Sequence, residues 1–266
     1  AIAKILHDSR VKNLSFTGST EVGRVLIREA ADRVIRCSME LGGNAPFVVF
    51  DDADISAAVA GLMLAKMRNG GAACTAANRV YVQKSIADQF TKEFSQAMSQ
   101  LKMGKGTEAG IQLGASVSVK ERNKIAELVD AAVKAGGKIH TGGATPEGDG
   151  AFYPATVISV DKSNDILNHE VFGPVAPIVT FDTDAEAIQL ANSTDFGLIS
   201  YVFTKDLARA IRTAEAIESG MVAINKGVIS DPAAPFGGVK QSGLGREGGF
   251  DGIHEFLETK YIGVEI

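Results

Sequence analysis

Several residue types are scarce in this sequence of 266 residues. It has no tryptophan, two cysteines and four histidines, and no apolar stretch approaches the roughly 20 residues needed to cross a bilayer. The two cysteines, Cys37 and Cys74, exclude a disulfide framework, and the dispersed histidines offer no HExxH or CxxC spacing for a metal ion. Because a secretory leader pattern is also missing, we predict a cytoplasmic protein without a metal centre or a membrane span.

A surplus of positive charge is missing as well. The formal net charge is −5, and lysines and arginines are scattered among the acidic residues, which disfavours nucleic acid and anionic membranes as partners. With 45% apolar residues the chain can bury a large core, as one globular unit or two interlocked lobes. Ala1 stands first without an initiator methionine, so we interpret the chain as processed or cut from a longer one.

Helical and strand-like patterns alternate along the chain. Apolar residues recur with helical spacing at 1–10, 20–32, 53–68, 85–100, 117–136, 183–191 and 206–216. Short apolar or β-branched runs lie between them, at 12–16, 35–40, 46–50, 152–158, 175–180, 199–203 and 220–224. Such alternation predicts an α/β fold in which helices cover both faces of a mostly parallel sheet.

Two further signals concern the ends of elements. Asp51 and Asp52 precede the helical pattern at 53–68 and are candidate N-caps for it. A glycine-rich stretch at 237–249 is followed by alternating polar and apolar residues at 256–266, which predicts a loop and then a terminal strand. That strand would pair with its own sheet or with that of a neighbour, because an unpaired edge invites association.

Cys74 is the candidate nucleophile. It ends the stretch Asn69-Gly70-Gly71-Ala72-Ala73-Cys74, whose small residues give access to the sulfur and leave backbone N–H groups free for a developing oxyanion. The alternative is a buried structural cysteine, because reactivity depends on surroundings that the sequence shows only indirectly. Cys37 lies within a strand pattern, where we expect it to serve packing.

Glu40 is the candidate general base. It stands where a strand pattern runs into Gly42-Gly43, so its carboxylate can project into a cleft and accept a proton if burial raises its pKa. Taken alone, a glutamate in this position is more often a surface residue. The interpretation therefore depends on its pairing with Cys74, which spacing cannot prove.

A candidate phosphate site lies at residues 16–23, FTGSTEVG. The pattern describes a strand end, a turn at Gly18 and a helix start, so it offers a helix N-terminus to an anion. It lacks the lysine of a P-loop and departs from GxGxxG. The alternative is an ordinary helix capped by Ser19 or Thr20.

Taken together, these segments resemble the aldehyde dehydrogenase superfamily. The resemblance covers the whole chain, although a typical member is nearly twice as long and would add an N-terminal half. The motifs follow one another in the family's order: 16–23, 39–49 (MELGGNAPFVV), the Cys74 loop, 170–174 (EVFGP), 235–238 (PFGG) and 242–247 (SGLGRE).

Within the superfamily the chain most resembles succinate-semialdehyde dehydrogenases, through KMRN at 66–69 and VIS at 228–230. The resemblance implies that Arg68 and Ser230 bind the carboxylate of an aldehyde substrate, a role that suits a guanidinium and a hydroxyl. Without the resemblance, a surface arginine and a loop serine are about equally plausible.

The resemblance also implies a mechanism and a cofactor, NAD or NADP. Cys74 would add to the aldehyde to give a thiohemiacetal, and after oxidation Glu40 would activate the water that hydrolyses the thioester. Phe236 and Asn225 would shape the active-site pocket. The implied cofactor contacts are Gly18 and Ser19 at the pyrophosphate, the Leu41 backbone at the nicotinamide amide, and Glu170 supported by Phe172 at the nicotinamide ribose.

Three departures from the family pattern stand out. Ala72 and Met67 replace the usual glutamine and phenylalanine before the nucleophile, and Ala76 replaces a cysteine that many succinate-semialdehyde enzymes carry as a redox partner. A local disulfide switch is therefore excluded, while loop rigidity and substrate packing are open to change.

The implied organisation is a remnant of the NAD(P)-binding domain at 1–40, a catalytic domain at 41–243, and a return segment with an oligomerisation strand at 244–266. We expect homo-oligomers, or association with the N-terminal half. Two other functions compete: a CoA-acylating dehydrogenase, against which Glu40 argues, and a non-catalytic or partner-dependent half of such an enzyme.

Overall fold

The fold of this protein is described by a computed structural model covering residues 2–148 and 150–266. In those residues the helices are α1 (Ile2–Leu6), α2 (Thr20–Ala31), α3 (Ile55–Met67), α4 (Ala87–Ser99), α5 (Val119–Lys134), α6 (Asp184–Asn192) and α7 (Leu207–Ala216). The strands are β1 (Asn13–Thr17), β2 (Arg36–Glu40), β3 (Ala45–Val49), β4 (Ala77–Gln83), β5 (Lys138–Thr141), β6 (Thr156–Ser159), β7 (Val175–Phe181), β8 (Phe196–Gly197), β9 (Ile199–Phe203), β10 (Met221–Ile224), β11 (Val239–Lys240) and β12 (Gly243–Leu244).

The main sheet has seven strands in the order β10-β9-β3-β4-β7-β6-β5. All neighbouring pairs are parallel except β5 and β6, which confirms the predicted mostly parallel sheet. Side chains of β3 alternate between two cores: Phe47 and Val49 pack with α3 and α4, and Val48 packs with α5 and α6. Helices therefore cover both faces of the sheet, as expected when parallel strands are joined by crossovers.

The central strand β4 is missing from the sequence-based list of strands. Its neighbours in the main sheet are β3 and β7, and Val80, Tyr81 and Val82 are buried. Asn78 and Arg79 interrupt the apolar run and conceal it, although both are also buried. The Arg79 guanidinium donates to the backbone carbonyls of residues 44, 190 and 191, so its burial is compensated by hydrogen bonds.

The predicted N-caps of α3 are wrong. Asp54 caps this helix, accepting from the Ala57 N–H at 3.0 Å. Asp52 instead accepts from the Thr204 hydroxyl and pairs with Arg209 at 3.1 Å, so it joins the end of β3 to the loop after β9. The other helices lie where the periodicity placed them, within one or two residues at most ends, but α1 ends at Leu6 and not at residue 10 as predicted.

A second sheet of three strands carries the candidate base. Its order is β1-β2-β12, with β2 parallel to β1 and antiparallel to β12. Gly243 of β12 lies opposite Glu40 at the end of β2, so a late segment of the chain completes the strand that presents Glu40. The domain boundaries at 40/41 and 243/244 stay predictions.

The terminal strand predicted at 256–266 is absent from this chain's own sheets. A short 3₁₀ turn spans Gly252–Phe256, and residues 257–266 are exposed and form no strand. Pairing of this segment with a neighbouring chain stays a prediction. Across residues 2–148 and 150–266, no helix has the length and apolar character to span a membrane.

Candidate active site

The loop that carries Cys74 joins α3 to the central strand β4. A 3₁₀ turn at Arg68–Gly71 follows the helix, and Asn69 and Gly70 there adopt left-handed backbone angles, which asparagine and glycine tolerate best. Burial raises the pKa of the Cys74 thiol, and the negative charges of Glu170 and Glu40 raise it further. Hydrogen bonds from the backbone N–H groups of Cys74 and Thr75 act in the opposite direction, because they favour the thiolate.

Accessibility does not distinguish the two cysteines, contrary to expectation. Both thiols are partly buried, and burial raises the pKa of Cys37 as well. The Cys37 thiol, on β2 as predicted, lies 3.4 Å from the Ile35 carbonyl oxygen, to which it donates. What sets Cys74 apart is that backbone hydrogen bonding at Cys74 and Thr75 lowers the pKa of its thiol against the effect of burial.

Glu40 is buried rather than exposed at the surface. Its side chain ends β2 and is 4% exposed, and within the described residues its Oε2 atom has no hydrogen-bond partner. Burial and the charge of Glu247 raise the pKa of Glu40 to about 7, with Arg246 acting in the opposite direction. A carboxyl group with a pKa near neutrality and a free oxygen is suited to accept a proton.

The Gly42-Gly43 turn connects the parts of the site. The Gly43 N–H donates to Glu170 Oε1 at 3.0 Å. A side chain at Gly43 would collide with the backbone carbonyl of Cys74, so only glycine allows this approach. The turn after β2 thereby brings the strand that ends at Glu40, the Cys74 loop and the Glu170 carboxylate together.

The segment 235–238 closes over Glu40. A β-carbon at Gly237 would lie 2.9 Å from Glu40 Oε1, which leaves no room for a larger residue. Phe236 exchanges backbone hydrogen bonds of 2.7 Å with Glu247, and its ring packs against the same core as Cys74. This pairing holds the Glu247 charge close enough to act on Glu40.

A cleft of about 680 Å³ contains three of the residues predicted to bind a cofactor. Ser19, Glu170 and Phe172 line it together, and Ser19 caps α2 by accepting from the Val22 N–H at 3.3 Å. The cleft thus combines a helix N-terminus, a carboxylate and an exposed aromatic ring, groups that fit a phosphate, ribose hydroxyls and a flat heterocycle. Other lining residues, among them Glu121 and Lys124, were not predicted from the sequence.

Gly18 and Leu41 already use their backbone N–H groups within the protein. Gly18 donates to the Glu40 carbonyl at 3.0 Å and Leu41 to the Ser242 carbonyl at 2.9 Å. Any polar contact from Leu41 to a ligand would therefore use its carbonyl oxygen. Gly18 fixes the approach of β1 to the end of β2.

A second, much smaller cavity, of about 10 Å³, lies at the two residues predicted to bind the substrate carboxylate. Arg68 and Ser230 both line it, and Ala73 and Thr75, which flank Cys74 in the sequence, form part of its wall. Arg68 Nη2 donates to Thr75 Oγ1 at 3.1 Å. Sequence spacing could not have placed Ser230 beside a residue so far away along the chain.

Asn225 has a different setting from the one expected. Its side-chain amide bonds both backbone groups of Thr204, at 3.1 Å and 2.9 Å. Asn225 therefore anchors the end of β10 to the end of β9, and it lines neither of the two clefts described above.

Lys66 is a buried residue whose importance the sequence reasoning missed. Its ammonium donates to Asn78 Oδ1 at 2.7 Å and to the Val171 carbonyl at 3.2 Å, and its side chain has no exposure. Burial lowers the pKa of Lys66 to about 7, and the Glu170 charge acts in the opposite direction. The sequence feature that could have indicated this burial is the position of Lys66 within the apolar helix α3.

Comparison with known proteins identifies the family to which this sequence is similar. The sequence pattern that describes the aldehyde dehydrogenase family matches residues 1–262 of this chain. A succinate-semialdehyde dehydrogenase of Paenarthrobacter nicotinovorans is 54% identical over 98% of this chain and 58% of its own length. A glutarate-semialdehyde dehydrogenase of Pseudomonas putida is 46% identical over 97% of this chain and 54% of its own length.

Solved structures agree in fold. The crystal structure of a succinate-semialdehyde dehydrogenase from Burkholderia pseudomallei matches with a TM-score of 0.93 and 44% identity, over 96% of this chain and 53% of that one. A betaine aldehyde dehydrogenase of Staphylococcus aureus, solved in complex with NAD+, gives a TM-score of 0.93 at 39% identity, over 98% of this chain and 52% of that one. The chain spans about half the length of the curated relatives it matches.

Proposed function

The chain belongs to the aldehyde dehydrogenase family, and on that premise we propose that it supplies the nucleophile and the base of an NAD(P)-dependent dehydrogenase. Its substrate would be an aldehyde with a distal carboxylate, succinic semialdehyde first. The observation that carries the proposal is that Arg68 and Ser230 line one small cavity together with Ala73 and Thr75, the residues flanking Cys74.

In the proposed mechanism Cys74 provides the thiolate that adds to the aldehyde carbon. The N–H groups of Cys74 and Thr75 already favour negative charge on the sulfur, and the Cys74 N–H is a candidate donor to the oxyanion. Glu40, with its unpartnered oxygen, then removes a proton from the water that attacks the thioester. Splitting the reaction into acylation and hydrolysis lowers each barrier.

NAD(P)+ would supply the hydride acceptor when bound. In this chain the N-terminus of α2 would bind a phosphate, and Glu170, supported by Phe172, would accept hydrogen bonds from the hydroxyls of the nicotinamide ribose. Relatives include an Escherichia coli enzyme named for NADP(+) and the NAD+ complex from Staphylococcus aureus, so both dinucleotides stay candidates.

The substrate proposal depends on a charged tail. The relatives include enzymes named for succinate semialdehyde, glutarate semialdehyde and 3-sulfolactaldehyde, each of which carries an anionic group away from the aldehyde. A guanidinium with a free edge and a nearby hydroxyl form a receptor for such a group.

The test is the substitution Arg68→Ala in a protein that joins this chain to an N-terminal half. We expect kcat/KM for succinic semialdehyde to fall by about 1.5–3 kcal/mol, roughly 10- to 150-fold, while butanal loses little. Ser230→Ala should give a smaller loss with the same selectivity. Equal losses on both aldehydes would assign Arg68 to structure instead.

We further propose that these 266 residues alone bind the dinucleotide weakly and do not produce NAD(P)H, because dinucleotide contacts are spread over a whole nucleotide-binding domain. The cysteine and the glutamate would still trap an aldehyde or hydrolyse an activated ester. Turnover by a preparation of confirmed mass at a rate equal to that of the joined protein would contradict this. Homo-oligomerisation, or association with an N-terminal half, and a cytoplasmic location stay predictions.

A further inference from the structure

Thr75 lies between the candidate nucleophile and the candidate carboxylate receptor. Its side chain is 5% exposed, whereas Arg68 is an exposed residue on the rim of the pocket. Thr75 Oγ1 accepts a hydrogen bond from Arg68 Nη2 at 3.1 Å. A buried, β-branched side chain thus holds one corner of an otherwise mobile guanidinium.

The acceptor is itself fixed from the opposite side. The Tyr201 hydroxyl donates to the Thr75 carbonyl at 2.8 Å, and Tyr201 is 2% exposed. The Thr75 hydroxyl therefore belongs to a part of the pocket wall that cannot easily shift. An arginine restrained by such an acceptor loses less side-chain entropy when an anion binds to its remaining N–H groups.

From these contacts we propose that Thr75 is a specificity-determining positioning residue, which holds Arg68 ready to receive the anionic tail of the aldehyde. This inference rests on the proposed substrate class. It goes beyond it, because it assigns part of the preference for an anionic tail to a hydroxyl that does not contact the tail.

The proposal is tested most directly by alkylation of Cys74, which needs neither cofactor nor turnover. The matched probes are 3-(iodoacetamido)propanoate and 3-(iodoacetamido)propanamide, which share one carbon skeleton and differ in charge at the far end. A Cys37→Ser background leaves Cys74 as the only thiol in the sequence. The measured quantity is the ratio of the two alkylation rates, anionic over neutral.

We expect Thr75→Val, which keeps the shape and removes the acceptor, to lower this ratio about three- to tenfold, the size of one ordinary hydrogen bond. Thr75→Ser should restore it. Arg68→Ala should abolish the preference, and Thr75→Val should then change nothing further, because the threonine acts through the arginine.

The outcomes separate the two claims. If Arg68→Ala lowers the ratio but Thr75→Val does not, the role of Thr75 is wrong and the substrate class stands. If Arg68→Ala leaves the ratio unchanged, the substrate class itself fails, and this inference with it. If Thr75→Val slows both probes equally, Thr75 supports the Cys74 loop and the proposal is overturned.

Discussion

Glu40 and Glu170 are two carboxylates whose charges both raise the pKa of Cys74, and burial raises the pKa of both. Glu170 accepts the Gly43 N–H, and the Lys66 ammonium also lowers its pKa against the effect of burial. Each carboxylate has a like charge that raises its pKa, Glu247 for Glu40 and Glu21 for Glu170, but only Glu40 has an oxygen without a hydrogen-bond partner among the described residues. From this difference in hydrogen bonding we predict that Glu170 receives hydroxyl groups as an anion, whereas Glu40 exchanges protons.

The largest expected effect is on the rate of acyl-enzyme hydrolysis, which should depend on Glu40 and not on Glu170. Glu40→Gln should slow hydrolysis of the acyl-Cys74 formed from an activated ester by about 10²- to 10⁴-fold, because the glutamine cannot accept the water's proton. The measurement follows release of the leaving group of the ester: Glu40→Gln should release one equivalent in a burst and then almost none, because the acyl-Cys74 is not hydrolysed. Glu170→Gln is the matched control and should leave the hydrolysis rate within a few-fold. Similar losses in both variants would remove the distinction.

The next effect concerns the support of Glu170. The pKa of Lys66 is about 7 when folded against 10.5 when unfolded, so the unfolded chain binds more protons between these values and stability rises with pH across that window. A shift of this size corresponds to about 4 to 5 kcal/mol. Urea unfolding of Lys66→Met relative to the parent chain, from pH 7 to 10, should show this slope disappear. If the unfolding free energies of the parent chain and of Lys66→Met changed with pH in parallel, Lys66 would not be a buried group that titrates in this range.

Glu40 should give a dependence of opposite sign at lower pH. Its pKa rises from 4.5 to about 7 on folding, so the folded chain binds more protons and loses stability as pH increases through this window. The loss amounts to about 3 kcal/mol. The difference in unfolding free energy between the parent and Glu40→Gln should follow this curve, and a difference that is flat from pH 4.5 to 7 would mean that Glu40 titrates normally.

The smallest effect is electrostatic. The charge of Glu40 raises the pKa of Cys74, so Glu40→Gln should shift the pH profile of Cys74 alkylation to lower pH. Glu170→Gln should shift the profile in the same direction, because the negative charge of Glu170 also raises the pKa of Cys74 and does so more strongly than that of Glu40. An unchanged profile in both variants would mean that neither charge reaches the thiol.

The sequence predicts the fold class well because parallel strands such as β3 and β9 are continuous apolar runs. It misses β4 because Asn78 and Arg79 obscure the run, and their burial depends on carbonyl partners distant in the sequence. The capping role of Asp54 depends on where the helix starts, a boundary that composition fixes poorly.

For the candidate site, local motifs identify Cys74, Glu40 and Arg68 as residues of interest. They do not reveal that Glu40 lacks a partner or that Arg68 is held by Thr75, since burial and hydrogen bonding are tertiary properties. Lys66 was visible as a lysine in an apolar helix, but its acceptors, Asn78 and Val171, come from other parts of the chain.

The pairing of Gly243 with Glu40 also has a consequence for biosynthesis. The strands β3 and β4 of the main sheet are neighbours in sequence and can pair early as the chain leaves the ribosome, whereas β12 reaches β2 only after all seven strands of the main sheet have been translated. We therefore expect the thiol to be in place before its base is locked. The nascent chain would mature in that order, acquiring hydrolytic competence as one of the final steps of folding.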